Sequence, residues 1–411
     1  MIITRARLQG AAELVDITLS DGKISDISRS NGSLPSSFDA AGRLVIPQFV
    51  EAHVHLDYAN TAGVPRINES GTLFEAIEIW RERKSLNLNN QERIYSNSRA
   101  AAEELARHGV GFVRTHVDVT DSSLIAFEAL TQLKRDVSDW MDIQIVAFPQ
   151  NGIYAYPDGD KLVKEAVNRG ADVVGAIPHL EPTASLGEES LKWAFNLAED
   201  AGIGVDVHCD EIDDSHSRFV DDVTSLATQH AMGTKTVVSH AVAMGYYSPG
   251  YLSRLIPKMQ NAGLNFAICP NENLHLQGRG ISPTPRGIAP IKALIDAGLN
   301  VAFCQDSIKD PWYPMGAGDP LRILDSALHV GHLLAEPYLS NSLDFVTTNP
   351  ARNLEIDNSI KVGNDANLLV LNAESAQEAV RTKTDVLLSV HNGRTVFELE
   401  PPTVDWKITT H

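Results

Sequence analysis

A chain of 411 residues carries 34 lysines and arginines against 53 aspartates and glutamates, a formal charge of −19 at pH 7. Such an acidic surface repels nucleic-acid phosphates and anionic lipid headgroups, so no nucleic acid and no membrane surface is expected as a partner; a neutral or cationic small molecule fits better. Hydrophobic residues make up 43% of the chain, enough for a packed core, and no apolar stretch reaches the length of a membrane span.

The first 46 residues show short polar/apolar alternation, as in Asp16-Ile17-Thr18-Leu19 and Ile24-Ser25-Asp26-Ile27, around an Asp21-Gly22 turn signal. Eight strand candidates follow, near 44–55, 110–119, 142–149, 172–178, 203–208, 235–240, 264–269 and 299–305. Helical patterns lie between most of them, for example at 73–84, 91–108, 124–137, 160–169, 188–202 and 288–297. Alternation of this kind implies parallel strands joined by crossover helices, and eight such units suit a (β/α)8 TIM-type barrel over 47–355. Residues 356–411 return to the opening style, with Leu368-Leu369-Val370-Leu371, Val386-Leu387-Leu388 and an Asn392-Gly393 turn. The two ends, 1–46 and 356–411, are expected to build one small β-sandwich domain. Cys209, Cys269 and Cys304 are odd in number and widely spaced. They read as buried free thiols in a reducing, cytoplasmic setting, and the opening Met1-Ile2-Ile3-Thr4-Arg5 lacks signal-peptide form.

The most informative segment is Ile46-Pro47-Gln48-Phe49-Val50-Glu51-Ala52-His53-Val54-His55-Leu56-Asp57. Residues i and i+2 of a strand point to one side, so His53 and His55 project together and can chelate one divalent metal. Three more candidate ligands end later apolar runs: His208, His240 and Asp306. In parallel barrels the chemistry collects at the carboxyl ends of several strands at once.

Longer segments carry a family resemblance. His53-Val54-His55-Leu56-Asp57, Gly71-Thr72-Leu73-Phe74-Glu75, Val146-Ala147-Phe148-Pro149-Gln150, His208-Cys209-Asp210-Glu211, His275-Leu276-Gln277-Gly278-Arg279 and Asp310-Pro311-Trp312-Tyr313-Pro314 resemble the amidohydrolase superfamily, and closely its bacterial cytosine deaminase branch. The resemblance runs along nearly the whole chain. It implies one metal, Fe2+ or Zn2+, held by His53, His55, His208 and Asp306, with His240 beside the reacting water rather than among the primary ligands. It implies Glu211 as the proton shuttle and Gln150 as a hydrogen-bonding partner of the base's amide edge; Leu73, Ser307 and Trp312 are expected as further substrate contacts. Binuclear members use a carboxylated lysine at the end of strand four; Ala176-Ile177-Pro178-His179-Leu180 has none there, so a single metal is expected. Relatives form homo-oligomers, and the same is expected of this chain.

The residue types match the chemistry. Deamination by water needs a hydroxide at neutral pH, a proton carrier and a grip on a flat ring. Glu211 follows His208 by three, just past a strand end, where it can sit above the metal. His240 reads either as an electrostatic partner of the reacting water or as a hydrogen-bonded core histidine. Gln150 offers a donor and an acceptor to a ring amide, or is a solvated loop amide; Trp312 is a ring wall or plain packing. His116 supports the site from behind or only packs, and His179-Leu180-Glu181 is a chance match to an unrelated zinc deaminase signature, since no C-x-x-C exists in the chain.

One departure bears on the substrate. The cytosine deaminase branch carries a second aspartate after the metal-binding one; here Asp306 is followed by Ser307. A short neutral hydroxyl there is expected to remove a charge and free room near C4 and C5 of a pyrimidine. A free nucleobase of the 5-substituted cytosine type, such as 5-methylcytosine, therefore joins cytosine as the expected substrate. Deamination of isoguanine or creatinine, or cyclic-amide hydrolysis, is the alternative within the superfamily; a non-catalytic binding protein on the same barrel is the alternative outside it.

Overall fold

Eight parallel strands run through the middle of the chain: β1 (Phe49–Val54), β2 (Val110–Asp118), β3 (Asp142–Phe148), β4 (Val173–Ala176), β5 (Gly204–Cys209), β6 (Thr236–His240), β7 (Asn265–Ile268) and β8 (Asn300–Phe303). The computed structural model describes residues 1–32, 35–401, 405 and 407. Each barrel strand pairs with its sequence neighbours in parallel register. Helices cross between them, such as Gln91–Arg107 between β1 and β2 and Ala184–Ala201 between β4 and β5. Every residue of β2 is buried, as a strand covered on both faces requires, its polar Arg114, His116 and Asp118 included. The seam between β8 and β1 closes just past β8. There His55 N donates to Asp306 O at 2.9 Å and Asp306 N donates to His53 O at 2.8 Å. The observed architecture is a (β/α)8 barrel with a small sheet domain.

The strand expected over 44–55 is two strands. Leu44–Pro47 pairs with Ile2–Leu8 and Leu368–Leu371 in the terminal sheet, whereas Phe49–Val54 is β1 of the barrel. Gln48 marks the change: its backbone N–H donates to Asn367 O at 3.2 Å and its side-chain amide donates to Ser389 Oγ at 3.1 Å. Phe49 N donates instead to Gly109 O at 3.2 Å. Both halves are mostly apolar and mostly buried, so hydrophobic patterning alone could not show the switch of partner.

The chain divides into two units, Phe49–Asp357 and Met1–Gln48 with Asn358–His411. In the second unit, strands from both termini join one mixed sheet, running from Arg394–Glu398 through Val386–His391, Leu368–Leu371, Leu44–Pro47, Ile2–Leu8 and Leu14–Ser20 to Lys23–Arg29. Ile3, Ile17, Ile24, Val45, Leu368 and Val390 belong to one buried cluster, so the two ends of the chain share a core. Asp21 and Gly22 have φ of 53° and 80° between the paired residues Ser20 and Lys23, the two left-handed positions a tight type I′ hairpin demands. Positions 402–404, 406 and 408–411, placed by sequence in this domain, lie outside the described residues.

Candidate active site

The mouth of the barrel gathers the histidines. His53 lies in β1 and His55 directly follows it; His208 is in β5 and His240 ends β6. Asp306 stands at the β8–β1 seam. All five are buried, none more than 5% exposed. His240 and Asp306 hold φ of 67° and 68°, a left-handed backbone that costs a non-glycine residue about 1–2 kcal/mol. Such strain persists at strand ends where the surrounding structure over-determines it.

Second-layer contacts set the ring orientations. Asp206, two residues before His208, accepts from Ser239 Oγ at 2.7 Å and from Arg114 Nη1 at 3.2 Å. Ser239 has thus spent its proton, so His53 Nδ1, 2.9 Å from Ser239 Oγ, must donate to it. His53 Nε2 is left with a lone pair and no hydrogen-bond partner. His116 Nε2 lies 3.2 Å from the same Asp206, which places it behind His53, with ring centroids 3.9 Å apart.

The free donor atoms fit a metal. His55 Nε2 and His208 Nε2 are 3.1 Å apart, and Asp306 Oδ1 is 3.4 Å from both His53 Nε2 and His55 Nε2. Donors about 2.1 Å from one ion stand about 3.0–3.4 Å apart at angles between about 90° and 109°. Burial lowers the pKa of His55 to about 4 and holds His53 and His208 well below the usual range, so all three are neutral imidazoles with lone pairs available. A second grouping joins His53, His240, Cys269 and Asp306. Burial raises the Cys269 thiol well above its usual range, and a thiol kept neutral is a poor ligand. A third joins His53 with His116 and Asp206, but there Ser239 engages His53 Nδ1, and Ser239 with Arg114 engages the Asp206 carboxylate. Glu51, beneath the seam, accepts from His53 N and Gln305 N at 3.0 Å each and ties β1 to β8.

Glu211 lies past β5, with its carboxyl 3.6 Å from His240 Nδ1. Burial first, then the Asp306 charge, holds its pKa well above the ordinary carboxylate range. Asn273, on the helix Pro270–Leu276, reaches both groups: its amide nitrogen is 3.5 Å from Glu211 Oε1 and 3.3 Å from His240 Nδ1. Gln277 Nε2 donates to Glu211 O at 3.3 Å.

Glu211, His55, His208 and Asp306 border one cavity, lined also by Gln150, Leu73, Ile77, His179, Ser307 and Trp312. Tyr58, which sequence reasoning passed over, organises one wall: its hydroxyl donates to Gln150 Oε1 at 2.8 Å. It stacks on Trp312 at 4.8 Å and on His55 at 4.7 Å. Leu73 opens the helix Leu73–Ser85 behind the Thr72 cap and packs in the cluster of Tyr58, Trp80 and Trp312.

Ser307 is 2% exposed, and its corner does keep a carboxylate: Ser307 Oγ donates to Glu272 Oε1 at 3.1 Å. The carboxyl group absent from position 307 is supplied there by Glu272, from the helix after β7; burial first, then the Asp306 charge, holds its pKa well above the ordinary range. No motif signalled Glu272, Asn273 or Tyr58; only the position just past a strand end could have drawn notice to the first two. Asp206 had a signal, the i, i+2 spacing to His208 on one strand face.

A model described as the amidohydrolase family matches residues 37–397. The crystal structure of 5-methylcytosine deaminase from Klebsiella pneumoniae liganded with 5-fluorocytosine superposes with a TM-score of 0.96, at 44% identity over 99% of each chain. N-isopropylammelide isopropyl amidohydrolase from Pseudomonas sp. (strain ADP) is 27% identical over 97% of this chain and 98% of its own. Pterin deaminase from Rhizobium rhizogenes is 26% identical over 88% and 83%. Among the described residues no helix is long and apolar enough to cross a membrane. The barrel, the His/Asp cluster at its mouth and the match along nearly the whole chain lead to one statement: the protein belongs to the amidohydrolase family and is a hydrolase acting on C–N bonds.

Proposed function

We propose that the protein is a metal-dependent hydrolytic deaminase of a free cytosine-type base, with 5-substituted cytosines such as 5-methylcytosine accepted at least as well as cytosine. The observation that carries this reading is the convergence of His55, His208, Asp306, Glu211 and Gln150 on one cavity with Ser307 at its corner. The full-length likeness to a 5-methylcytosine deaminase supports it. One divalent ion, Fe2+ or Zn2+, held by His53, His55, His208 and Asp306, would polarise water toward a pKa of ~7.

The chain's own groups carry the remaining chemistry. Glu211 takes a proton from the attacking water and delivers it to N3 of the ring as the C4–O bond forms. A second passage through Glu211 carries the new hydroxyl's proton to the amino nitrogen; the C4–N bond breaks and ammonia leaves. His240, 3.8 Å from Asp306 Oδ2, stabilises charge developing on the reacting oxygen. Gln150 grips the amide edge of the base, and the Tyr58–Trp312 stack, with Leu73, walls the cavity. The buried site and the −19 charge favour a free base over nucleic acid.

Chelator-treated protein should regain full activity near one equivalent of metal, measured by metal analysis beside ammonia release; a need for two equivalents would reject the mononuclear site. The base itself is tested with a panel of cytosine, 5-methylcytosine, isocytosine, isoguanine and creatinine, with a cytosine-containing single-stranded oligonucleotide as the nucleic-acid arm. Wild-type protein should release ammonia from 5-methylcytosine at least as fast as from cytosine. Ser307→Asp should lower kcat/KM for the methylated base about 10-fold more than for cytosine, the scale of one misfitted methyl group. Equal losses for both bases would remove Ser307 from ring selection. A wild-type enzyme inert toward both would sink the reading.

A further inference from the structure

Glu272 is 2% exposed and faces the same cavity as Glu211 and Asp306. Its Oε1 accepts the Ser307 hydroxyl, and its Oε2 has no partner. A carboxyl buried in this way is unfavourable unless cations or N–H groups satisfy it. Two other buried carboxylates of the barrel show what a structural role looks like. Asp118 accepts from Lys84 Nζ at 2.7 Å and from Trp80 Nε1 at 2.9 Å, and Asp206 accepts from Arg114. Glu272 has one neutral hydroxyl. Burial and the acidic neighbours Asp306, Asp310 and Glu211 all act against its charge, and no Lys or Arg offsets them. Nothing in the fold therefore repays its presence, and a donor-poor acceptor at a cavity wall is complementary to a ligand that brings N–H groups.

We propose that Glu272 is a substrate-binding residue whose free Oε2 accepts a hydrogen bond from the amino-bearing edge of a nitrogen heterocycle, and that Ser307 is the residue that positions it. The proposal rests on the deaminase reading above. It adds a consequence for product release: hydrolysis replaces a donating amino group by an accepting carbonyl. A carbonyl oxygen facing the Glu272 oxygen repels it. Glu272 thus favours the amino base over its oxo product, and turnover weakens the grip on the ring.

The test is ring binding to metal-loaded Glu211→Gln protein, in which the base is bound without being consumed. Calorimetric titration with two amino/oxo pairs, cytosine with uracil and 5-methylcytosine with thymine, measures the preference for the amino ring. Adding Glu272→Leu should lower that preference about 3- to 10-fold, the range for an ordinary hydrogen bond, with metal content unchanged. Glu272→Gln keeps the side chain's size and an acceptor for Ser307, and should retain part of the preference; it also serves if the leucine variant fails to fold. Ser307→Ala should lower the preference by a smaller factor, without loss of metal. An unchanged amino/oxo ratio, or equal weakening of both rings, in the Glu272 variants would overturn the assignment while the deaminase reading stands. Absence of ammonia release from every base by wild-type protein would overturn that reading instead, and this proposal with it.

Discussion

Glu211→Gln should lower kcat by about 10²–10⁴, the usual worth of a positioned acid–base group, while fold and metal content stay as in the wild type. The substitution keeps the shape of the side chain and its contact with the Asn273 amide, 3.5 Å away. It removes the ability to take up and return a proton. Burial and the nearby Asp306 raise the Glu211 pKa, so the wild-type carboxyl holds its proton more tightly than an exposed glutamate does. Steady-state rates beside metal analysis of the same preparation decide the matter. Near wild-type turnover with bound metal would mean that Glu211 is not the shuttle.

A second large effect lies behind the metal ligands. Arg114 is 3% exposed and Asp206 fully buried, and the two are joined at 3.2 Å. Asp206→Leu leaves a buried guanidinium without its counter-charge and should destabilise the protein by about 3–5 kcal/mol. It also removes the acceptor of Ser239, so the donor chain that aims His53 Nε2 is lost. Metal affinity should fall about 10- to 100-fold, as for other partners behind metal-binding histidines. Urea unfolding of the metal-free protein separates the two effects. Asp206→Leu with Arg114→Met should recover much of the stability but none of the metal affinity, because the second change removes the stranded charge and does nothing for Ser239. If Asp206→Leu alone were as stable as wild type, the ion pair would not be holding the barrel floor.

The sequence was most legible where local periodicity and function coincide. His53 and His55 share a strand face because strand side chains alternate, and this holds in any fold that makes 49–54 a strand. His208, His240 and Asp306 each close an apolar run, and a parallel barrel carries all such ends to one rim. Strand number, helix alternation and the Asp21-Gly22 and Asn392-Gly393 turns are likewise local properties, read from short windows.

What only the tertiary structure decided depends on residues far apart in the chain. The division of 44–55 at Gln48 turns on which strands stand beside each half, and hydrophobicity is the same on both sides. Tyr58 meets Gln150 across 92 positions. Ser307 meets Glu272 across 35, so the carboxylate absent from position 307 is supplied from another element. The His53–Ser239–Asp206–Arg114 chain spans three strands besides β1. Side-chain hydrogen bonds of this kind leave no period in the sequence, because they need only one residue of the right type at each end. Burial then makes them strong, and burial is a property of the folded barrel rather than of any segment in it.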